Sequence, residues 1–255
     1  MSDRSRSSAS RVAGPGRRHR RHRRWREGGS SVTGWNAEML GWAVCALGLG
    51  VIGAHLVGLA LPEDAADDAA QALVWLCFAV PIAAALLRSR PLGLFRLRAV
   101  DVAYGLVFGA LVRGAQGVIG GLSGTPAPWP STFSTDGALP SSFLTQAVTG
   151  TLVAPVLEEG FFRGVVLVCA FVLLRRSAGS RAAGIASVAM STTLFVLAHQ
   201  LLGSPDAVDL ATLALLGVTT GVFVLATGRL WPAVLVHVFF NATGFAMLAV
   251  GTLLA

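Results

Sequence analysis

The sequence predicts an all-α fold, a polytopic transmembrane helical bundle of about seven spans. Three observations carry that expectation. Of the 255 residues, 54% are hydrophobic and 13% charged, where a soluble domain has roughly 45–50% and 25%. The apolar residues are gathered into stretches of spanning length. Arg and acidic residues alternate between successive connections.

A tail, residues 1–38, precedes the first span and is read as disordered, Arg-rich and cytoplasmic; residues 39–255 form the membrane-embedded helical domain. All 20 basic residues are Arg. Ten Arg against three acids leave +7 on the tail, while the remainder carries ten of each and is neutral. The tail is Ser/Arg/Gly-rich, a composition that cannot bury enough apolar surface to fold. Its run from Arg17 to Arg26 lies just before a span, which suits anionic lipid, at ~1 kcal/mol per Arg, and a topology signal. No nucleic-acid partner and no cleaved signal peptide are expected.

A span needs ~20 mostly apolar residues. The stretches that qualify are 40–61, 71–87, 100–122, 144–174, 182–202, 209–227 and 231–252. The fourth is too long for one straight crossing, so a separate interfacial helix or a kink at Pro155 is expected at its start. Arg88, Arg90, Arg96 and Arg98 follow the second stretch; Arg175, Arg176 and Arg181 follow the fourth; Arg229 follows the sixth. The other connections carry Glu63, Asp64, Asp67, Asp68, Asp136 and Asp206 and no Arg. By the positive-inside rule the N-terminus is cytoplasmic and the C-terminus outside, in the plasma (inner) membrane. The Pro/Ser/Gly-rich segment 123–142 reads as an outer loop, and the glycines from Gly105 to Gly121 as close helix packing. Cys45, Cys77 and Cys169 read as small buried residues, forming neither a disulfide framework nor a zinc site.

Glu158 and Glu159 stand inside the fourth stretch. A charge at that depth costs at least ~2.5–3.5 kcal/mol and marks a functional site by default. Glu159 and Arg163 are four apart, share a helix face and can pair; Glu158, turned roughly 100° away, is left for another task. Phe195 and His199 have the same spacing, as do His237 and Asn241, a pair able to hold a metal or polarise a carbonyl. A carboxylate in a dry site can take a proton from water. Histidines can bind Zn2+, which activates its water, and an amide or metal can stabilise an oxyanion. Counting 1.5 Å per residue, Glu158 lies roughly 25 Å from Arg175 and His199 roughly 27 Å from Arg181, but His237 only roughly 12 Å from Arg229. Either the turn before the last span sits inside the bilayer, or that span tilts, or its ends are misplaced. Arg113 can pair with the glutamates, reach the outer interface or bind a substrate carboxylate; a structural role is preferred.

Glu158-Glu159-Gly160-Phe161-Phe162-Arg163 matches Glu-Glu-x-x-x-Arg, Phe195 to His199 matches Phe-x-x-x-His, and His237 to Asn241 matches His-x-x-x-Asn. In this order the motifs resemble the CAAX-protease and bacteriocin-processing (CPBP, Abi) family of intramembrane metalloproteases, related to type II CAAX prenyl endopeptidases. The resemblance covers about residues 70–252. It implies an intramembrane endopeptidase that hydrolyses a membrane-associated protein or peptide. Glu158 would activate water, Glu159 and Arg163 would support it, and His199, His237 and Asn241 would be metal ligands or oxyanion contacts. Zn2+ is the cofactor this implies, with metal-assisted and metal-free glutamate mechanisms both open. The readings weighed against it are a catalytically silent scaffold or bacteriocin-immunity protein of the same fold, and an ion-coupled transporter using the glutamates.

Overall fold

The computed structural model describes residues 24–27, 30–122, 130–132 and 137–254. Most of the Arg-rich tail and most of the 123–142 segment therefore lie outside the described residues. Those described are helical throughout, with no strand among them. Helix α1 (Ala37–Ala60) starts where the Asn36 side chain accepts from Met39 N at 3.0 Å, a standard N-cap. Helices α2 (Glu63–Arg88) and α3 (Ala99–Leu122) follow, packed on α1 and on the last helix respectively.

Next comes one continuous helical run from Phe143. It is built from α4 (Phe143–Val148), a wide π-type segment (Thr149–Val153), α5 (Ala154–Glu159), a second wide segment (Gly160–Val166) and the first part of α6 (Leu167–Leu202). Helix α6 is broken at Gly179, whose φ of 74° and ψ of 169° fall in a region essentially open only to glycine. The chain reverses there: Ser191 Oγ donates to Phe162 O at 2.8 Å, and the Phe162 and Phe195 rings meet at 5.4 Å. Helix α7 (Ala207–Thr227) opens with a reciprocal Asp206–Asp209 capping box and ends at Gly228, φ 71°. Helix α8 (Trp231–Leu254) closes the chain.

Helices α2 (from Ala65), α1, α3, α7 and α8 are each long and apolar enough to cross a membrane. Large apolar side chains cover their outer surfaces, with Leu49 67% and Leu59 85% exposed on α1. Such an apolar exterior suits lipid, not water. Cys45, expected buried, lies on this outward face, whereas Cys169 is buried in the centre. In contrast to α1, every residue from Glu159 to Val172 is buried. This run is the axis around which the other helices pack. Of the glycines from Gly105 to Gly121, two pack closely: at Gly105 and Gly109 an added Cβ would fall 2.7 Å from Leu235 Cβ and 2.9 Å from Phe239 Cβ on α8, whereas Gly114, Gly117 and Gly121 meet nothing within 4 Å and Gly120 only Val208 at 3.9 Å.

The Arg-bearing connections collect at one end. Trp35 Nε1 donates to Ser89 O at 3.0 Å, Leu230 N to Leu94 O at 2.7 Å, and Trp25 Nε1 to Gly228 O at 3.0 Å. The structure thus differs from the expected tail boundary. Residues 24–27 and 30–36 include two short 3-10 turns, Trp25–Glu27 and Ser30–Val32, and the Trp25 and Trp35 side chains are buried. The α7–α8 turn is roofed by Trp25 and by Arg26, which donates to Leu225 O at 2.6 Å and Ala226 O at 2.7 Å. Whatever the depth of this turn, His237 on α8 meets the glutamates, its Nδ1 lying 3.0 Å from Glu159 Oε1.

Candidate functional site

Five of the six candidate site side chains meet in the bundle, held by four elements. Glu158 and Glu159 end α5, Arg163 lies in the second wide segment, His199 is near the end of α6, and His237 is in α8. The Glu159–Arg163 pair is present at 3.2 Å with both side chains fully buried. Arg163 also lies over the Phe195 ring, 4.4 Å from its centre. Oε1 of Glu159 has a second partner, Nδ1 of His237 at 3.0 Å.

That contact decides the His237 tautomer. A carboxylate only accepts, so Nδ1 carries the hydrogen and Nε2 of the neutral ring presents a lone pair. His199 is fixed in the same way by Phe195 O, 2.9 Å from its Nδ1. The Nε2 atoms of His199 and His237 each lie 3.8 Å from Glu158 Oε2. That oxygen is buried and has no hydrogen-bond partner. With both rings neutral, three acceptor atoms converge there with no hydrogen among them. Such a constellation suits a water that donates to two of them, or a cation bound by all three, two imidazoles and a carboxylate being a known catalytic zinc set.

Asn241 stands one turn beyond His237, and its Nδ2 donates to Gly150 O at 2.8 Å. The backbone explains why that carbonyl is free. In the first wide segment Ala154 N–H reaches back to Thr149 O, so it skips Gly150. The next residue, Pro155, has no N–H to offer. Proline thus produces a widened turn with an open carbonyl, where the sequence suggested a kink or a separate interfacial helix. Of the three metal ligands the resemblance implied, the structure gathers His199 and His237 around Glu158, while Asn241 is bound to backbone. No group of three or more His, Cys, Asp or Glu with metal-site geometry occurs among the described residues.

Two supporting residues carried no signal in the sequence. Gly217 on α7 leaves room for the guanidinium, since an added Cβ would stand 2.8 Å from Thr192 Cγ2 and 3.2 Å from Arg163 Nη2. Thr192 is buried beside it with an unpartnered hydroxyl. A third, the buried Asp101–Arg229 pair, was visible only as two charges at predicted span ends.

A cavity of about 510 Å3 reaches the centre, with Glu158, Phe162 and His199 lining it and exposed Asp67, Asp68 and Gln146 at its rim. This rim lies at the end opposite the Arg-bearing connections.

Fold and site together define a polytopic helical membrane protein with a carboxylate–imidazole centre sunk inside the bundle. Residues 140–243, which contain every motif residue, match the family described as type II CAAX prenyl endopeptidase, Rce1-like. No curated protein and no solved structure matches it.

Proposed function

We propose that the protein is an intramembrane endopeptidase in which Glu158 activates water to hydrolyse a peptide bond of a membrane-associated protein or peptide. The observation that supports this best is the convergence of Glu158 Oε2 with two imidazole Nε2 atoms, all acceptors, at the end of an open cavity. Glu158 takes a proton from water as the oxygen attacks the carbonyl carbon. The C–N bond then breaks and the same proton passes to the departing amine, leaving an acid and an amine. Asn241 has a second Nδ2 hydrogen beyond the one given to Gly150, and it is the candidate donor to the oxyanion. Glu159 positions His237, and Arg163 holds Glu159; both act through the imidazole and need not touch the substrate. His199 and His237, with the Asn241 side-chain oxygen, would hold Zn2+ and leave Glu158 free as the base; a bound metal would supply Lewis acidity and lower the pKa of its water.

The orientation belongs to the same proposal: plasma membrane, N-terminus cytoplasmic, C-terminus outside, and the Arg-rich tail on anionic lipid. The acid-rimmed cavity then opens on the outer side. A single cysteine at exposed Gln146, in a protein whose own cysteines are replaced, should react with an impermeant maleimide on intact cells.

The test uses purified wild-type, Glu158→Gln, His199→Ala and His237→Ala proteins in lipid nanodiscs. Cleavage of a quenched-fluorescent membrane peptide and bound Zn2+ are measured. Undiminished cleavage by folded Glu158→Gln would remove Glu158 as the base. Unchanged cellular activity in all three variants would favour a silent scaffold.

A further inference from the structure

Outside the Glu158 centre, the strongest charge without a carboxylate partner is Arg113 on α3. It lines a second cavity, about 440 Å3, together with Gln116, Asp209, Phe240, His199 and Gly203. His199 and Gly203 also line the 510 Å3 cavity, so the two spaces adjoin at the imidazole. A volume in this range is that of a small-ligand site.

The guanidinium is held rigidly. Its Nε donates to Thr243 Oγ1 at 3.3 Å, Nη1 to Gln116 Oε1, and Nη2 to Phe240 O at 2.7 Å. Its carbon sits 3.9 Å from the centre of the Phe240 ring. At Gly244, an added Cβ would come within 2.6 Å of Nη2, so α8 is open where the cation lies. Arginine has five N–H donors; these bonds use three and leave two. All three acceptors are neutral. Asp209 lies close enough to act on Arg113 through its charge, and its hydrogen-bond link to the guanidinium runs through Gln116, whose Nε2 donates to its Oδ1 at 3.3 Å. Among the described residues no carboxylate lies within ion-pair distance of Arg113. A fixed fork with spare donors is matched by a carboxylate, which it can bind in bidentate fashion.

We propose that the Arg113 cavity receives the free C-terminal carboxylate of the peptide substrate. Among the described residues, the first cavity is lined by Asp67, Asp68 and Glu158 and by no arginine, whereas the second sets Arg113 beside a single acid, Asp209; that difference sets the direction of the chain past His199. The inference rests on the peptidase reading of the Glu158 centre and extends it to substrate selection.

Two measurements separate this inference from that reading. The probes are two quenched-fluorescent peptides ending in a prenylated Cys-aliphatic-aliphatic-Xaa sequence, one a free acid and one a C-terminal amide. Binding is read by anisotropy on Glu158→Gln protein in nanodiscs, where no turnover is needed; cleavage is read on the wild type. The acid should bind more tightly and be cut with a higher kcat/KM, by about tenfold or more, the range of a charge-assisted hydrogen bond. Arg113→Gln should abolish the difference between the acid and the amide. Arg113→Lys keeps the charge and should retain part of the preference, which guards against a general loss of fold. Equal binding of acid and amide, or a preference that survives Arg113→Gln, overturns the inference. A binding preference with no cleavage of either peptide upholds the pocket and sinks the peptidase reading instead.

Discussion

Two charged clusters are buried in this bundle, and they are built differently. In the first, Asp101 accepts from Arg98 N at 2.9 Å and from Arg229 Nε at 3.2 Å, and a second Arg229 nitrogen reaches its other oxygen. Neither side chain leaves a buried polar atom without a partner. This pair ties the start of α3 to the α7–α8 turn. In the second, Glu158 Oε2, Glu159 Oε2 and all three Arg163 nitrogens lack hydrogen-bond partners although buried. Charge alone offsets part of their burial through the 3.2 Å ion pair. Structural ion pairs are satisfied, because an unmet buried group is expensive. A site that must bind water and substrate keeps donors and acceptors in reserve. The difference in satisfaction, not in burial or charge, separates scaffold from site.

The comparison breaks first at Glu158. Glu158→Gln keeps shape and removes the base, so cleavage should fall by about 10²–10⁴-fold with the thermal midpoint in nanodiscs unchanged. A stable variant with full turnover would move the site elsewhere. Asp101→Asn should do the reverse. It strands a buried Arg229 and should lower stability by about 3–5 kcal/mol, read by denaturation, while kcat of the protein that remains folded stays near wild type. Loss of kcat from Asp101→Asn at intact stability would erase the distinction between the clusters.

The contrast also shows what the sequence made legible. Glu158, Glu159 and Arg163 were readable because a charge in an apolar stretch has few purely structural explanations, and the i, i+4 spacing alone put Glu159 on Arg163. Both α1 and the run from Glu159 to Val172 are strongly apolar, yet one faces outwards and the other is the core. Hydropathy cannot tell lipid from protein as the apolar neighbour, so the central position of the glutamate helix was not readable. Counting residues from Arg229 left it open whether His237 reaches the glutamates, because a residue count carries no tertiary contact; the 3.0 Å approach of His237 Nδ1 to Glu159 Oε1 supplies it. Gly217 was one of 30 glycines, and only the guanidinium beside it gives it meaning.

Gly217 offers a smaller test. An Ala there would press on the buried Thr192 methyl and on Arg163, which should lower stability by about 1–3 kcal/mol as overpacking does. It should also reduce cleavage by displacing Glu159 from His237. Gly221→Ala is the control one turn along α7, where an added Cβ meets Val188 at 3.2 Å and Leu167 at 3.4 Å and no charged group. Equal loss of cleavage in both variants would show that helix spacing matters and the guanidinium does not.

The smallest effect is expected at Thr192, and it tests what the reserve is for. Thr192 Oγ1 and Arg163 Nη2 border the same gap, 3.1 and 3.2 Å from the point where a Gly217 Cβ would sit. Glu159 Oε2 is another unpartnered acceptor of the cluster. A buried water needs two to four polar partners, and these atoms can supply them. If the cluster is hydrated, Thr192→Val removes one partner of that water and should lower stability by about 0.5–1.5 kcal/mol, with a modest fall in kcat and no change in KM. If it is dry, the hydroxyl has nothing to bind, and replacing it with a methyl of the same shape should leave the midpoint unchanged or raise it. Thermal denaturation of the two proteins in the same nanodiscs distinguishes the cases by sign, and a raised midpoint would confine water to the Glu158 side of the site.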